Sequence, residues 1–227
     1  MNLSAIVELL LNETFLVVQV LLAMLAVFAI SLERFYTLYF RFRLKVPPFR
    51  KALEQALSEM DLNKALRIAS INPAHPVCKV ARAGLLKANS GDRELVRAME
   101  QSSLESMPRV AGLTAFLAML GNLGTLLGLI GTVFGMIQAF AGLGVADSGA
   151  KQEILARGIA TAMNMTALGL LVAIPGTFLA TLFNYRQERI VDQMEEISLT
   201  VSGQIGQAQR DARLRQAQGG GQAHPSR

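Results

Sequence analysis

Inside long stretches of sequence that carry no charge, a few polar side chains have the type and spacing to handle a proton or a small cation. Thr125 and Thr132 stand seven residues apart and so share a helix face, and Thr161, Asn164 and Thr166 follow in the next apolar stretch. Hydroxyls and amides in that setting have two uses. A Ser or Thr can donate to a carbonyl of its own helix and do no more. Alternatively, several such groups on two helices can line a narrow hydrated path, relaying protons or replacing part of an ion's water shell. The number of polar groups and their distribution over two helices weigh toward the second use. A titratable partner is missing, however, since residues 14–32, 110–146 and 158–185 contain no Asp, Glu, Lys, Arg or His. If protons pass along this chain, another protein must bring the carboxylate.

The elements that must hold these residues are membrane helices. The three uncharged windows are 19, 37 and 28 residues long, which at about 1.5 Å per residue gives roughly 28, 55 and 42 Å against a hydrocarbon core of about 30 Å. All three can cross a bilayer, and the second and third overshoot it. Core helices of soluble proteins seldom run so far without a charge. The first window is read as a retained span, because its N-terminal flank carries Glu8 and Glu13 and lacks the basic start of a signal peptide. Hydrophobic residues make up 52% of the chain and mean hydropathy is +0.36, as expected of the membrane class.

Within the second span, Gly121, Gly124, Gly128, Gly131 and Gly135 repeat at intervals of three and four. This heptad rhythm lays a smooth stripe along one face, where another backbone can come close, and it predicts tight helix packing. The third span adds Gly169 and Pro175, whose ring removes a backbone hydrogen bond and can bend the helix.

Basic residues set the topology. Of the 22 Lys and Arg, 14 lie between Glu33 and Arg109 and six from Arg186 onward, leaving Lys151 and Arg157 between the second and third spans. The positive-inside rule therefore gives a short periplasmic N-terminus over 1–13, TM1 over 14–32, a cytoplasmic helical region over 33–109, TM2 over 110–146, a periplasmic loop over 147–157, TM3 over 158–185 and a cytoplasmic extension and tail over 186–227. The net charge of +5 needs no nucleic acid, because anionic membrane lipid attracts such residues. The run Arg41, Arg43, Lys45, Arg50, Lys51 reads as a topology anchor, and Phe35, Tyr36, Tyr39 and Phe40 as an interfacial belt.

The first helix is expected to continue until Pro47-Pro48. Short amphipathic helices follow, with apolar positions at Ala52, Leu53, Ala56, Leu57 and at Leu62, Ala65, Leu66, Ala69, and with breaks at Asn72-Pro73, His75-Pro76 and Asn89 to Asp92. Ser90 is the expected cap of a helix running on through TM2. Cys78, the single cysteine, is read as a small packing residue. Beyond about Gln204 the composition has almost nothing to bury and predicts disorder. The fold class is an all-α integral membrane protein with three transmembrane helices, two of them long and extending into the cytoplasm, and a small helical cytoplasmic region.

Gly128-Leu-Ile-Gly-Thr132-Val-Phe-Gly-Met136, Gly158-Ile159, Thr166-Ala167-Leu168-Gly169 through Pro175, and Asn184-Tyr185 closely resemble the MotA/TolQ/ExbB proton-channel family, and Glu33-Arg34 after the first span also fits. The resemblance covers about residues 14–196. Three spans point to the TolQ/ExbB branch, since MotA proteins have four. It implies a bacterial inner-membrane pentamer around the transmembrane helices of a dimeric TolR/ExbD-type partner, with a possible further envelope-spanning partner. Proton flow through the partner's membrane aspartate would then drive rotation and force transmission. The resemblance makes Thr132 and Thr166 the pore-lining threonines facing that aspartate, and it gives the glycine stripe to packing between subunits or around the partner helix. Many TolQ and ExbB sequences carry a glutamate five residues before the third-span threonine. This chain has Thr161 there, with Asn164 keeping polarity nearby.

A channel subunit coupling proton-motive force to mechanical work is the preferred reading. The alternative is a non-conducting oligomeric scaffold that assembles partners and shares the same packing signals. Biopolymer transport, envelope maintenance and gliding motility all use such machinery, and sodium could replace protons. A membrane enzyme fits poorly: no metal-ligand cluster, nucleophile-base pair, phosphate loop or cofactor motif appears, and His75 and His224 lie in a Pro-flanked turn and the tail.

Overall fold

The computed structural model describes residues 13–144 and 149–220, and the expected periplasmic N-terminus and the last seven residues fall outside them. The described residues are predominantly helical with no strand among them, and three helices are long and apolar enough to cross a membrane. This is an all-α, multi-pass membrane protein. In chain order the helices are α1 (Glu13–Phe35), a π-helical turn (Tyr36–Arg41), α2 (Val46–Ser58), α3 (Leu62–Ala69), α4 (Pro76–Leu86), α5 (Asp92–Ala111), α6 (Thr114–Leu143) and α7 (Lys151–Gly220). They form two compact units, one built from residues up to Phe35 with 112–184 and the other from 36–111 with 185 onward.

In the first unit α1, α6 and the first half of α7 pack together. Leu16, Val20, Ala23 and Val27 of α1 are buried at intervals of three and four, while Leu22, Leu25, Phe28 and Leu32 on the same helix are exposed. Large apolar side chains left outside mark a surface made for lipid or other protein rather than water. Ser31 donates to the carbonyl of Val27 at 2.6 Å. Arg34 is only 6% exposed and its Nε donates to Glu33 at 2.8 Å.

The second unit has an ordinary water-excluding core. Phe49, Leu53, Ala56 and Leu57 of α2 meet Val77, Val80, Ala81 and Leu85 of α4, Leu95 and Met99 of α5, and Met194, Ile197, Val201 and Ile205 of α7. The Phe, Leu, Val, Ile and Met side chains among them each contribute about 1.5–3 kcal/mol on burial. Cys78 lies within that core, where burial pushes its thiol pKa up. Asp61 caps α3 by accepting from the backbone N–H of Lys64 at 2.9 Å. Arg50 bridges to Glu54 on its own helix and to Glu196 on α7.

Several boundaries differ from the sequence expectation. Pro47-Pro48 do not end the first helix, which gives way to the π turn at Tyr36; they occupy the first turn of α2, where a missing N–H costs nothing. The expected cap at Ser90 is displaced by one residue, since Gly91, at φ +101°, supplies the carbonyl that accepts from Leu95 N–H. Nor does one helix run from there through TM2. The chain breaks between α5 and α6 at Gly112, whose φ of +45° is costly for residues with a Cβ, just after Pro108 has removed a helical donor. A Cβ at Gly112 would also fall within the Arg34 guanidinium. Finally, α7 continues past Gln204 to Gly220. Ile205 and Gly206 are buried, and Gln209 donates to the carbonyl of Ala88 at 2.7 Å, so the first residues beyond Gln204 are held by the core beside them.

Candidate ion pathway

The glycine stripe forms a seam between α6 and α7. A Cβ built on Gly121 would lie 3.0 Å from the backbone N of Thr177, on Gly124 2.8 Å from Val172, on Gly128 3.1 Å from the Cα of Gly169, on Gly131 2.6 Å from Met165, and on Gly135 3.0 Å from the backbone N of Ala162. These partners run backward along α7 as the glycines run forward along α6, so the two helices are antiparallel. The closest backbone approach pairs Gly128 with Gly169, where an added Cβ on Gly169 would come 2.6 Å from the Gly124 carbonyl oxygen and 2.7 Å from the Gly128 Cα. The stripe is therefore covered within the chain, which leaves it no free face for a neighbouring subunit or partner helix. Two helices this close exchange dispersion contacts along their backbones, the main attraction available in lipid.

Residues beside the seam become the candidates for function. At about 100° per residue, Thr132 is rotated roughly 40° from Gly128, and Thr166 roughly 60° in the same sense from Gly169. In an antiparallel pair, equal senses of rotation carry both residues to the same flank. They also share a level, because the seam pairs Gly131 with Met165 and Gly128 with the Cα of Thr166. Both threonines are half-buried within the chain. Thr125, rotated in the same sense, lies on this flank about two turns away and is exposed. Thr161 and Asn164 are rotated the opposite way, by roughly 80° and 140°. Thr161 is half-buried on the other flank and Asn164 is exposed toward the back of α7. The structure thus groups Thr125, Thr132 and Thr166 and leaves Thr161 and Asn164 apart from them.

The hydroxyls also divide by how they are bonded. Thr132 Oγ1 donates to the carbonyl of Leu129 at 2.6 Å and lies 3.3 Å from that of Gly128. Its proton is committed to its own helix and its lone pairs are left to accept. Thr177 and Thr181 bond back in the same way, at 2.8 Å to Ala173 and 2.9 Å to Thr177. Thr125, Thr161, Asn164 and Thr166 make no side-chain hydrogen bond among the described residues. The Thr166 hydroxyl is accordingly free to give as well as accept. Beside Thr132, an open apolar groove is lined by Val133, Met136, Ile137 and Phe140. The flank therefore presents one accepting oxygen and one uncommitted hydroxyl in apolar surroundings, a setting in which a carboxyl supplied from outside would find hydrogen bonds but no counter-charge.

Reading glycines alone missed the other half of the seam. Gly158, Ala162, Gly169, Ala173, Gly176 and Ala180 of α7 are small residues at intervals of three, four or seven, and a Cβ on Gly176 would lie 3.0 Å from the Cα of Gly121. The same heptad rhythm was legible there once alanine is counted with glycine. Pro175 is exposed within the unbroken α7, one residue before that contact.

Comparison with curated proteins gives no match. A family model, described as the MotA/TolQ/ExbB proton channel family, matches residues 72–196, which begins after the first span and takes in both helices of the seam. That stretch is more than half of the 227 residues. With its three apolar helices and its uncharged, threonine-flanked seam, the chain belongs to the MotA/TolQ/ExbB proton channel family, a family of membrane transport proteins that work in complexes rather than as enzymes.

Proposed function

We infer that this chain is the channel-forming, stator-like subunit of a bacterial inner-membrane complex that couples proton-motive force to force transmission across the envelope. The TolQ/ExbB-like branch is favoured by three apolar helices. A homo-pentamer is the assembly implied, enclosing a single-span TolR/ExbD-like partner that carries a membrane Asp, with the N-terminus periplasmic and the C-terminus cytoplasmic. The observation that carries the reading is the pair Thr132 and Thr166, at one level on one flank of a seam with no ionisable group. Such a flank can receive a protonated carboxyl and cannot neutralise an ionised one, so it suits a carboxylate that gains and loses its proton in passage. Thr125 extends the same flank. Thr161 and Asn164 contribute less directly to a path along it, as they point elsewhere.

The test is proton flux into liposomes by the chain co-expressed with its Asp-bearing partner. Thr132→Ala together with Thr166→Ala should reduce partner-dependent flux at least tenfold while the complex still purifies intact. Full flux from that double variant would refute the pore assignment. No flux from a verified wild-type complex would favour the non-conducting scaffold.

A further inference from the structure

We propose that Arg41, Lys79, Arg109 and Arg186 form a binding site for the phosphate headgroup of an acidic phospholipid in the cytoplasmic leaflet. The site lies wholly within the second unit. Two contacts bring its parts together. The Arg186 guanidinium stacks over the Tyr39 ring with its centre 5.9 Å from the centroid, placing it two residues from Arg41. The next residue, Gln187, donates to the carbonyl of Ala111 at 3.2 Å, two residues from Arg109. Chain segments leaving the first span, entering the second and leaving the third therefore converge, and each brings an arginine.

The charges gathered there outnumber the acids, Glu105 being the one acid felt at Lys79 against Arg109 and Arg41. None of the four cations forms an ion pair among the described residues, and what sets them apart from other unpaired cations is that they are gathered together. The Nε of Arg186 is buried with no acceptor, an expensive state for a charged donor. Lys79 has its pKa lowered by burial and then by Arg109 and Arg41, with Glu105 opposing more weakly. Cations held close enough to disfavour one another stabilise the fold only if an anion joins them. A phosphate accepts from guanidinium forks and an ammonium at once.

A lipid is favoured over a free anion by position. Arg109 immediately precedes the uncharged window 110–146, Arg186 immediately follows 158–185, and the exposed rings of Tyr36 and Phe40 lie beside Tyr39 and Arg41. Exposed aromatic rings at a span's end sit at headgroup depth, and basic pockets there take acidic headgroups.

The purified full-length chain in detergent would be titrated with phosphatidylglycerol, phosphatidylcholine or inorganic phosphate, reading bound lipid by native mass spectrometry and thermal stability in parallel. Arg41→Gln with Arg109→Gln alters two exposed side chains, and Arg67→Gln with Lys51→Gln removes the same charge elsewhere in the unit. Phosphatidylglycerol should be retained and should raise the melting temperature, with affinity falling on the order of tenfold or more in the first variant and less than threefold in the second. Equal losses in both variants would reduce the effect to net charge and overturn the site. Equal retention of phosphatidylcholine would do the same, and protection by millimolar inorganic phosphate alone would replace the lipid with a free-anion site.

Discussion

The two units of this chain are held together by opposite means. In the first, glycines and alanines line most of the α6–α7 seam and let the two backbones approach directly at Gly121, Gly128, Gly135, Gly169 and Gly176, with Val172 and Met165 filling in between. In the second, Leu53, Leu95, Met99 and Ile197 fill the interior with large side chains. The difference follows from the solvent. Water expels apolar side chains, so a core of leucine and methionine is stabilised by what it removes from water. Lipid does not discriminate between a leucine in the membrane and a leucine in a seam, so helices there gain by approaching closely, and only the smallest residues allow it.

Substitutions that exchange the two strategies should break the comparison most sharply. Gly169→Leu forces a side chain into the Gly124 carbonyl and the Gly128 Cα, neither of which can move without parting the helices. We expect no recoverable folded complex, measured by size-exclusion of detergent-solubilised membranes, and normal recovery would show that the seam is not the membrane unit's main support. Next in size, Leu53→Ala empties a fully buried site in the other unit and should cost about 2–5 kcal/mol, read by chemical denaturation.

A third prediction sharpens the contrast through pH, since only the second unit buries a histidine. His75 is 2% exposed and caps α4, its Nδ1 accepting from the backbone N–H of Val77 at 3.2 Å. Burial, and then the charge of Arg186, lowers its pKa from 6.5 to about 4. Because the folded pKa lies below the unfolded one, the unfolded chain binds the proton first as pH falls. The stabilisation is whole above about pH 6.5 and is lost toward about pH 4, with a ceiling on the order of 3 kcal/mol. His75→Asn retains a capping acceptor and should flatten that part of the stability profile. An unchanged slope between pH 6.5 and 4 would assign the acid sensitivity elsewhere.

The sequence made the membrane unit legible because its signals are strong and local. Charge-free windows and glycines at three and four residues report directly on a helix in lipid. What it could not tell was which surface the glycine stripe would meet, for close packing looks the same whether the neighbour is α7, another subunit or a partner. Thr161 and Asn164 show a second limit. Shared membership of one apolar window suggested a common path, and only the direction of rotation about the α7 axis sets them apart from Thr166. In the second unit the apolar periodicity of α2 and α3 was readable, while the packing of α7 just beyond Gln204, at Ile205 to Gln209, was not. Composition lacks the information that Ala88, far away in sequence, offers Gln209 an acceptor.

The Gly128–Gly169 crossing has a consequence for suppressor genetics. A lesion such as Leu53→Ala leaves a hole, and a neighbour that mutates to a larger residue can refill it. A lesion at Gly169 needs a partner smaller than glycine, and none exists. Selection for second-site revertants should therefore return compensating changes in the second unit and only true reversions at the crossing.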